Sequence, residues 1–372
     1  MAVKCQDIIN IIEKMAPGRL AEEWDNVGLH IGSPAARVDR VLVTLDVNAE
    51  VVREAIDRKV QLIVAHHPFF FKPVRNILFD QPMGALIKAL VANEIAVYCA
   101  HTNLDSADGG VNDILARALG LGEIAVLNPD KVEKLFKITV FVPNGYEDQV
   151  LEAVSRAGAG WIGNYADCSF QTAGTGTFRP LAGADPFIGR IGELERAEEF
   201  RLETIVPENG LSRVIKAMLQ AHPYEEVAYD IYPLQNKGKA LGLGRVGKLP
   251  AQVSFEEFCQ QVKKALKVQN IKIGGPLDRP VQKIAVCGGS GASLLANAAA
   301  AGAHVLVTGD IKYHEGQEAL TLGLNFIDAG HFGTEYGVVA QVAALLRQYA
   351  DSAEAGLEVL ISEVKTDPFA YF

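Results

Sequence analysis

The sequence predicts an α/β protein in which two pseudo-symmetric α/β halves form one core and a smaller α+β domain is inserted between them. Three observations carry this: a βαβαβ run near the start, the return of the same run near the end, and a stretch of different rhythm between them. The expected boundaries are 1–127 for the first half, 128–235 for the insert and 236–372 for the second half. A chain of 372 residues suits two or three domains, each long enough to bury a core.

The first half opens with a stretch through Pro17 in which Ile8, Ile9, Ile11, Ile12 and Met15 alternate with charged residues. That is helical amphipathicity, not the unbroken apolar core of a signal peptide. From Arg40 the chain reads strand Val41–Leu45, helix Ala49–Lys59, strand Leu62–Ala65, then His66 and His67. A helix over Met83–Ala92 leads to strand Ile95–Cys99 and then to His101. Short apolar runs between helical patterns indicate a buried parallel sheet.

The second half repeats the order. Strand Lys283–Cys287, a glycine-rich turn, an Ala-rich helix to Ala301, strand His304–Val307, a helix and strand Leu324–Ile327 end at His331. The endings match in detail, because Asp105 follows His101 by four residues and Glu335 follows His331 by four. We read this as an internal duplication.

The intervening stretch contains two similar pieces, FKITVFVPN (Phe136–Asn144) and FRLETIVPEN (Phe200–Asn209). Each is an alternating strand closed by a Val-Pro turn before a helix. The expected order is βαββαβ, a ferredoxin-like pattern. The glycine-rich Gln171–Arg190 segment is expected as its exposed loop, and Lys237–Pro250 as the passage back to the core.

Bulk composition narrows function. Hydrophobic residues make up 49% and charged residues 22%, as in ordinary globular proteins. The net charge of −10 and the absence of any basic run disfavour direct nucleic-acid binding. No segment reaches 18 consecutive apolar residues, so no membrane partner is expected. Five scattered cysteines without a C-x-x-C pair argue against a disulfide framework and for a reducing, cytoplasmic setting.

The chemistry concentrates at strand ends. In LIVAHHPFFF two adjacent histidines leave the carboxyl end of a buried strand, where open α/β sheets place their ligands. Adjacent residues at a strand end point in opposite directions, so His66 and His67 are expected to serve two neighbouring ions. An isolated His-His reads equally well as loop histidines with nothing bound. HTNLD and HFGTE strengthen the first reading, because each supplies an imidazole and a carboxylate one helical turn apart. The metal ligands expected are His66, His67, Asp105, His331 and Glu335. Imidazole with carboxylate suits Zn, Fe, Mn, Co or Ni better than Ca or Mg, and the choice among them stays open.

TGDIKYHEG places Asp310, Lys312 and His314 after the strand that corresponds to the one before His66. They are read either as a substrate-holding group or as an N-cap followed by solvated turn residues. The CGGSGAS turn is read either as an anion site at a helix N-terminus or as a tight strand-to-helix turn. The WDNVG cluster near the start, with Trp24, Asp25 and Asn26, is read as structural, and His30, His222 and His304 are left out of the metal site.

With these residues in view the chain resembles the Nif-three-like family, also called the GTP cyclohydrolase I type 2 homologues, in its longer form. WDNVGL, VLVTLD, AHHPFFF, AHTNLD, GGSG, TGDIKYHE and GHFGTE occur in the family's order along nearly the whole length. The resemblance implies a homohexameric toroid with a dinuclear metal centre in each subunit, its ligands falling on the same five residues. It implies that His101 stands beside the metals or moves a proton, and that the insert, ending AHPYEEVAYDIYPL, is a PII- or CutA-type trimerising domain. The activity expected is metal-dependent hydrolysis of a nucleotide or related small molecule, with His101, Asp310, Lys312 and His314 assisting. The alternative is a non-catalytic hexameric metal-binding regulatory or scaffold protein.

Overall fold

The structure, a computed structural model, describes residues 3–370. It divides into two compact units, one running up to Lys131 and resuming at Leu241, the other spanning Val132–Ala240. No helix among the described residues is long and apolar enough to cross a membrane.

The larger unit contains two mixed sheets. In the first, strands Arg40–Thr44, Leu62–Ala65 and Ala96–Cys99 run parallel to one another, with Glu358–Ile361 added parallel at one edge and Gly28–Ile31 antiparallel at the other. Their unbroken apolar sequence reflects burial on both faces. Val41, Val43, Leu62, Val64, Ala96 and Tyr98 pack on one side against the helices Cys5–Met15 and Gly337–Ser352. Leu42, Ile63 and Val97 point the other way, against Ala49–Asp57 and Pro82–Ala92.

The second sheet follows the same logic. Pro280–Ser290, Val305–Gly309 and Asn325–Asp328 run parallel, flanked by Arg245–Ser254 and Gly122–Val126 on one edge and by Lys272–Gly274 on the other, all antiparallel additions. Ile284, Val286, Val305, Val307 and Ile327 pack on Phe255, Phe258 and Val262 of the helix Phe255–Leu266, while Ala285, Leu306 and Phe326 pack on Leu295, Ala298 and Ala319. The passage expected over Lys237–Pro250 thus becomes a core strand from Arg245 onward. Arg245 itself is buried and donates to both oxygens of Asp113 (2.9 and 3.0 Å) and to the carbonyls of Ala107, Gly242 and Gly244.

The smaller unit is a four-stranded antiparallel sheet with its strands in the order Tyr229–Pro233, Leu135–Pro143, Glu195–Pro207, Ser169–Phe178. The helices Glu147–Arg156 and Leu211–Ala221 complete a βαββαβ sequence and bury Val150, Val154, Val214 and Met218 against Ile138, Val140, Leu202 and Val206. One expectation is corrected here. Gln171–Phe178, read as loop because of its glycines, is strand, paired residue for residue with Glu195–Leu202. Only the segment beyond Phe178 leaves the sheet.

Candidate metal centre

The carboxyl ends of the parallel strands in the larger unit converge on one set of side chains. His66 and His67 follow Leu62–Ala65, His101 follows Ala96–Cys99, and Asp46 follows Arg40–Thr44. From the second sheet, Asp310 follows Val305–Gly309, and His331 opens the short helix His331–Glu335 after Asn325–Asp328. Asp105 lies in the helix Thr102–Ser106, whose first turn is closed by the Asp105 N–H donating to the His101 carbonyl at 3.0 Å. The two His-x-x-x-acid pairs therefore each span one helical turn.

Glu335 is the hub, and it is 3% exposed. Its Oε2 lies 3.0 Å from His67 Nε2 and 3.2 Å from His331 Nε2, while Oε1 lies 3.8 Å from His66 Nε2. Asp105 Oδ1 approaches the same His66 nitrogen at 3.6 Å. Three overlapping groups have ligand atoms within 4.8 Å of one another: His67, His331 and Glu335; His66, Asp105 and Glu335; and His66, His67 and His101. His66 and His67 do not diverge as expected. Their ring centroids are 5.0 Å apart and both rings join the cluster, because the chain leaves its extended path after Ala65.

Every histidine of the cluster is held by its other ring nitrogen. His66 Nδ1 meets the Ala100 carbonyl at 2.8 Å, His67 Nδ1 meets Asp46 at 2.7 Å, His331 Nδ1 meets Asp310 at 2.7 Å, and His101 Nδ1 meets Asp25 at 2.9 Å. Metal-binding imidazoles are characteristically fixed this way, by a carbonyl or carboxylate that sets tautomer and ring direction. Thr366 in turn donates to Asp46, and Thr102 donates to Asp25 through both its N–H and its hydroxyl. Asp46 and Thr366 were missed by the sequence reading, and Asp25, read there as structural, holds His101. For Asp46 a signal existed, since an acid leaves the strand beside the one that delivers the histidines.

The donor set fits a divalent cation on its own observations. His66 Nε2 and Asp105 Oδ1 are buried without a hydrogen-bond partner, which is costly unless something positive lies between such atoms. The charges lean the same way. Burial disfavours a charged His67, yet hydrogen bonds to Asp46 and Glu335 push its imidazole up to about 10. Burial likewise opposes charge on His331, and Glu335 and Asp310 push it up to about 9. Burial alone would raise Glu335, but hydrogen bonds from His331 and His67 and the charge of the nearby His66 hold it well below the carboxylate range. Asp105 goes upward, from burial and the nearby Glu335 charge. An anionic hub thus draws positive charge to itself.

The glycine turn serves this hub. Gly289 has φ +63°, and a Cβ there would stand 2.3 Å from Glu335 Oε1. The N–H groups of Gly288, Gly289 and Gly291 already donate to Asn112, Thr334 and Thr308. They are not free for an anion, and of the two readings the tight turn is the one the structure supports. Asp310 is drawn into the centre through His331 and also accepts from Ser290 Oγ at 2.6 Å. Lys312 and His314 are not brought to it: both are exposed, facing Glu315 and Gln317 of their own helix. His30, excluded earlier, is occupied by the Asn26 carbonyl and the Phe70 N–H.

The cluster opens into a cavity of about 950 Å³ bordered by Trp24, Phe69, Phe71, Met83 and Phe369. His101 stands between this wall and the hub, its ring 5.2 Å from that of His66 and 5.8 Å from that of Phe71.

Comparison with known proteins places the chain in a family. The chain is 46% identical over 366 residues to a protein of Halalkalibacterium halodurans called GTP cyclohydrolase 1 type 2 homolog, covering 98% of each. It is 45% identical over 370 residues to the Bacillus subtilis protein of the same name, covering 100% of this chain and 99% of that one. A Bacillus cereus protein related to NIF3 superposes with a TM-score of 0.93 at 44% identity, covering both chains completely. The model of the Duf34/NIF3 (NGG1p interacting factor 3) family matches residues 3–368, and the chain belongs to that family.

Proposed function

We propose that this chain is a dinuclear-metal-dependent hydrolase of a nucleotide or related small molecule, with His66, His67, Asp105, His331 and Glu335 as the metal ligands. The observation that carries the reading is the divided carboxylate of Glu335, one oxygen beside His67 and His331 and the other beside His66, which is itself beside Asp105. Two ligand groups share one acid. Zn is the first choice of ion, with Fe, Mn, Co and Ni compatible with the same donors. Bound divalent ions would supply Lewis-acid polarisation and a more acidic water.

The chain's own groups do the rest. Asp46, Asp310 and the Ala100 carbonyl aim the three imidazoles of the ligand set. His101, fixed by the buried Asp25, faces the cavity and moves a proton to or from the substrate. The aromatic wall limits water and receives a planar or apolar part of the substrate. Lys312 and His314 have no part in this reading. The relatives' name points to GTP, but the residues at the centre specify no base, and the substrate class is kept at nucleotides and related small molecules.

The duplicated halves, the ferredoxin-like and PII- or CutA-like character of the insert, and a homohexameric toroid in the cytoplasm complete the proposal. They rest on the sequence resemblance and on the βαββαβ order of the smaller unit. Light scattering behind size exclusion checks the assembly at six chains. The activity is tested by screening metal-reconstituted protein against nucleotides and phosphoesters beside the double variant His66→Ala, Glu335→Ala. Turnover confined to the unaltered protein is expected. Equal background for both on every compound removes the hydrolase and leaves a metal-binding regulatory or scaffold protein.

A further inference from the structure

The smaller unit contains a cavity of its own, about 460 Å³, within the size range of small-molecule sites. It lies where the segment after Phe178 folds back toward the turn that follows the helix Leu211–Ala221. The Asp185 N–H fastens that segment to Glu225 at 2.8 Å.

Its walls are aromatic. The ring of Tyr224 lies 5.9 Å from Phe178 and 6.1 Å from Phe187, with interplanar angles of 59° and 49°, so the three rings form an angled corner and not a flat stack. Its other notable lining group is a carboxylate. Glu199 is only 9% exposed, accepts from the Tyr224 hydroxyl at 3.0 Å, and forms no ion pair among the described residues. The strand beside it makes room for this acid: a Cβ at Gly176 would stand 2.0 Å from Glu199 Oε2. Glu225 and Glu226 add acid at the rim, and the one lining cation, Arg179, donates to the Gly192 carbonyl.

A buried carboxylate is an acceptor only, and leaving it without a cation is costly. Aromatic faces are electronegative and attract cations within about 6 Å of their centroids. Ring corner and acid floor therefore select the same ligand charge. A hard metal ion is a poor match, since it needs several oxygens and gains nothing from the rings.

We propose that this cavity binds a small organic cation, an ammonium or amidinium group on a compact apolar frame, with its N–H donors on Glu199 and its frame against Phe178, Phe187 and Tyr224. The site is separate from the metal centre, and its test does not depend on the proposed hydrolase.

The full chain is titrated with benzylammonium chloride at fixed ionic strength and followed by proton NMR of the ligand, beside benzyl alcohol and benzoate as neutral and anionic analogues. Saturable binding of benzylammonium with upfield-shifted ring and methylene protons is expected, with no saturation by either analogue. Glu199→Gln should weaken it by roughly tenfold or more, the scale of a lost charge-assisted hydrogen bond. Should Glu199→Gln not fold, Phe187→Ala carries the test, since that ring is half exposed, and a weakening of roughly threefold to tenfold is expected. Benzyl alcohol binding as well as benzylammonium, no saturable binding of the cation, or affinity unchanged in the variant that folds overturns the proposal.

Discussion

Replacing Gly289 by alanine isolates the contribution of the glycine turn to the metal centre. The added Cβ would lie 2.3 Å from Glu335 Oε1 and 3.1 Å from His331 Nε2, and real Cβ contacts stay above about 3.0 Å. The Glu335 oxygen must therefore retreat by about 0.7 Å, while metal–ligand distances tolerate only about 0.2 Å. Because Glu335 belongs to both ligand groups, the retreat disturbs both. The backbone also pays strain, since φ is +63° and a left-handed alanine costs roughly 1–2 kcal/mol. Gly302→Ala separates the two effects: its φ is +70° and nothing lies within 4 Å of its Cβ. Both variants should melt a few degrees lower. Only Gly289→Ala should lose metal, with affinity reduced at least about tenfold in a chelator competition and bound metal measured by plasma mass spectrometry. Equal metal retention by the two variants would refute the role given to Gly289 and with it the placement of Glu335 as the shared ligand.

Three other outcomes follow from the same coordinates. Asp46→Asn keeps the shape but removes the charge behind His67 and should weaken metal binding about 10–100-fold in the same competition, with Thr366→Val weaker in effect; unchanged affinity would count against the carboxylate's role. His67 at about 10 and His331 at about 9 both lie above an unfolded histidine, so in metal-free protein their stabilisation is complete below about pH 6.5 and is lost as pH rises through 9 to 10. The metal-free melting temperature should fall over that window, and metal binding at pH 7 should release at least one proton, counted by calorimetry in buffers of different ionisation heat; zero release would exclude these two imidazoles as ligands. Arg245→Met leaves Asp113 buried without its cation and the carbonyls of Ala107, Gly242 and Gly244 without their donor, and should cost about 3–5 kcal/mol in denaturant unfolding; adding Asp113→Leu should recover only part of it, because those carbonyls stay unpaired and the Gly109 N–H loses its acceptor. A loss below about 1 kcal/mol would mean that Asp113 finds solvent.

How much of this was legible depends on whether a relation is local or crosses between strands. The histidines at 66, 67, 101 and 331 stand out because each lies just beyond an apolar run, and the acid four residues after a histidine, Asp105 or Glu335, is a one-turn relation visible in the sequence. The strands Gly28–Ile31, Lys272–Gly274 and Glu358–Ile361 were not foreseen, because edge strands of three or four residues leave little pattern. Gln171–Phe178 was misread because Gly174 and Gly176 look like loop, although Gly176 is small to admit Glu199. Two of the misreadings at the centre, Asp46 and Asp310, share one cause. Asp46 leaves one parallel strand and grips the histidine leaving the next, at 2.7 Å; Asp310 leaves one parallel strand and grips the histidine leaving the next, also at 2.7 Å. The same carboxylate–imidazole pairing, one strand apart, thus occurs in both sheets. Neighbouring strands in a parallel sheet place their carboxyl ends side by side, so an acid ending one strand and a histidine ending the next are adjacent in space however far apart in sequence. That rule would have moved Asp310 from substrate holder to the support of His331 and added Asp46 as its counterpart. It would also have left Lys312 and His314 aside, because Lys312 already caps the helix Tyr313–Thr321 and His314 lies within it.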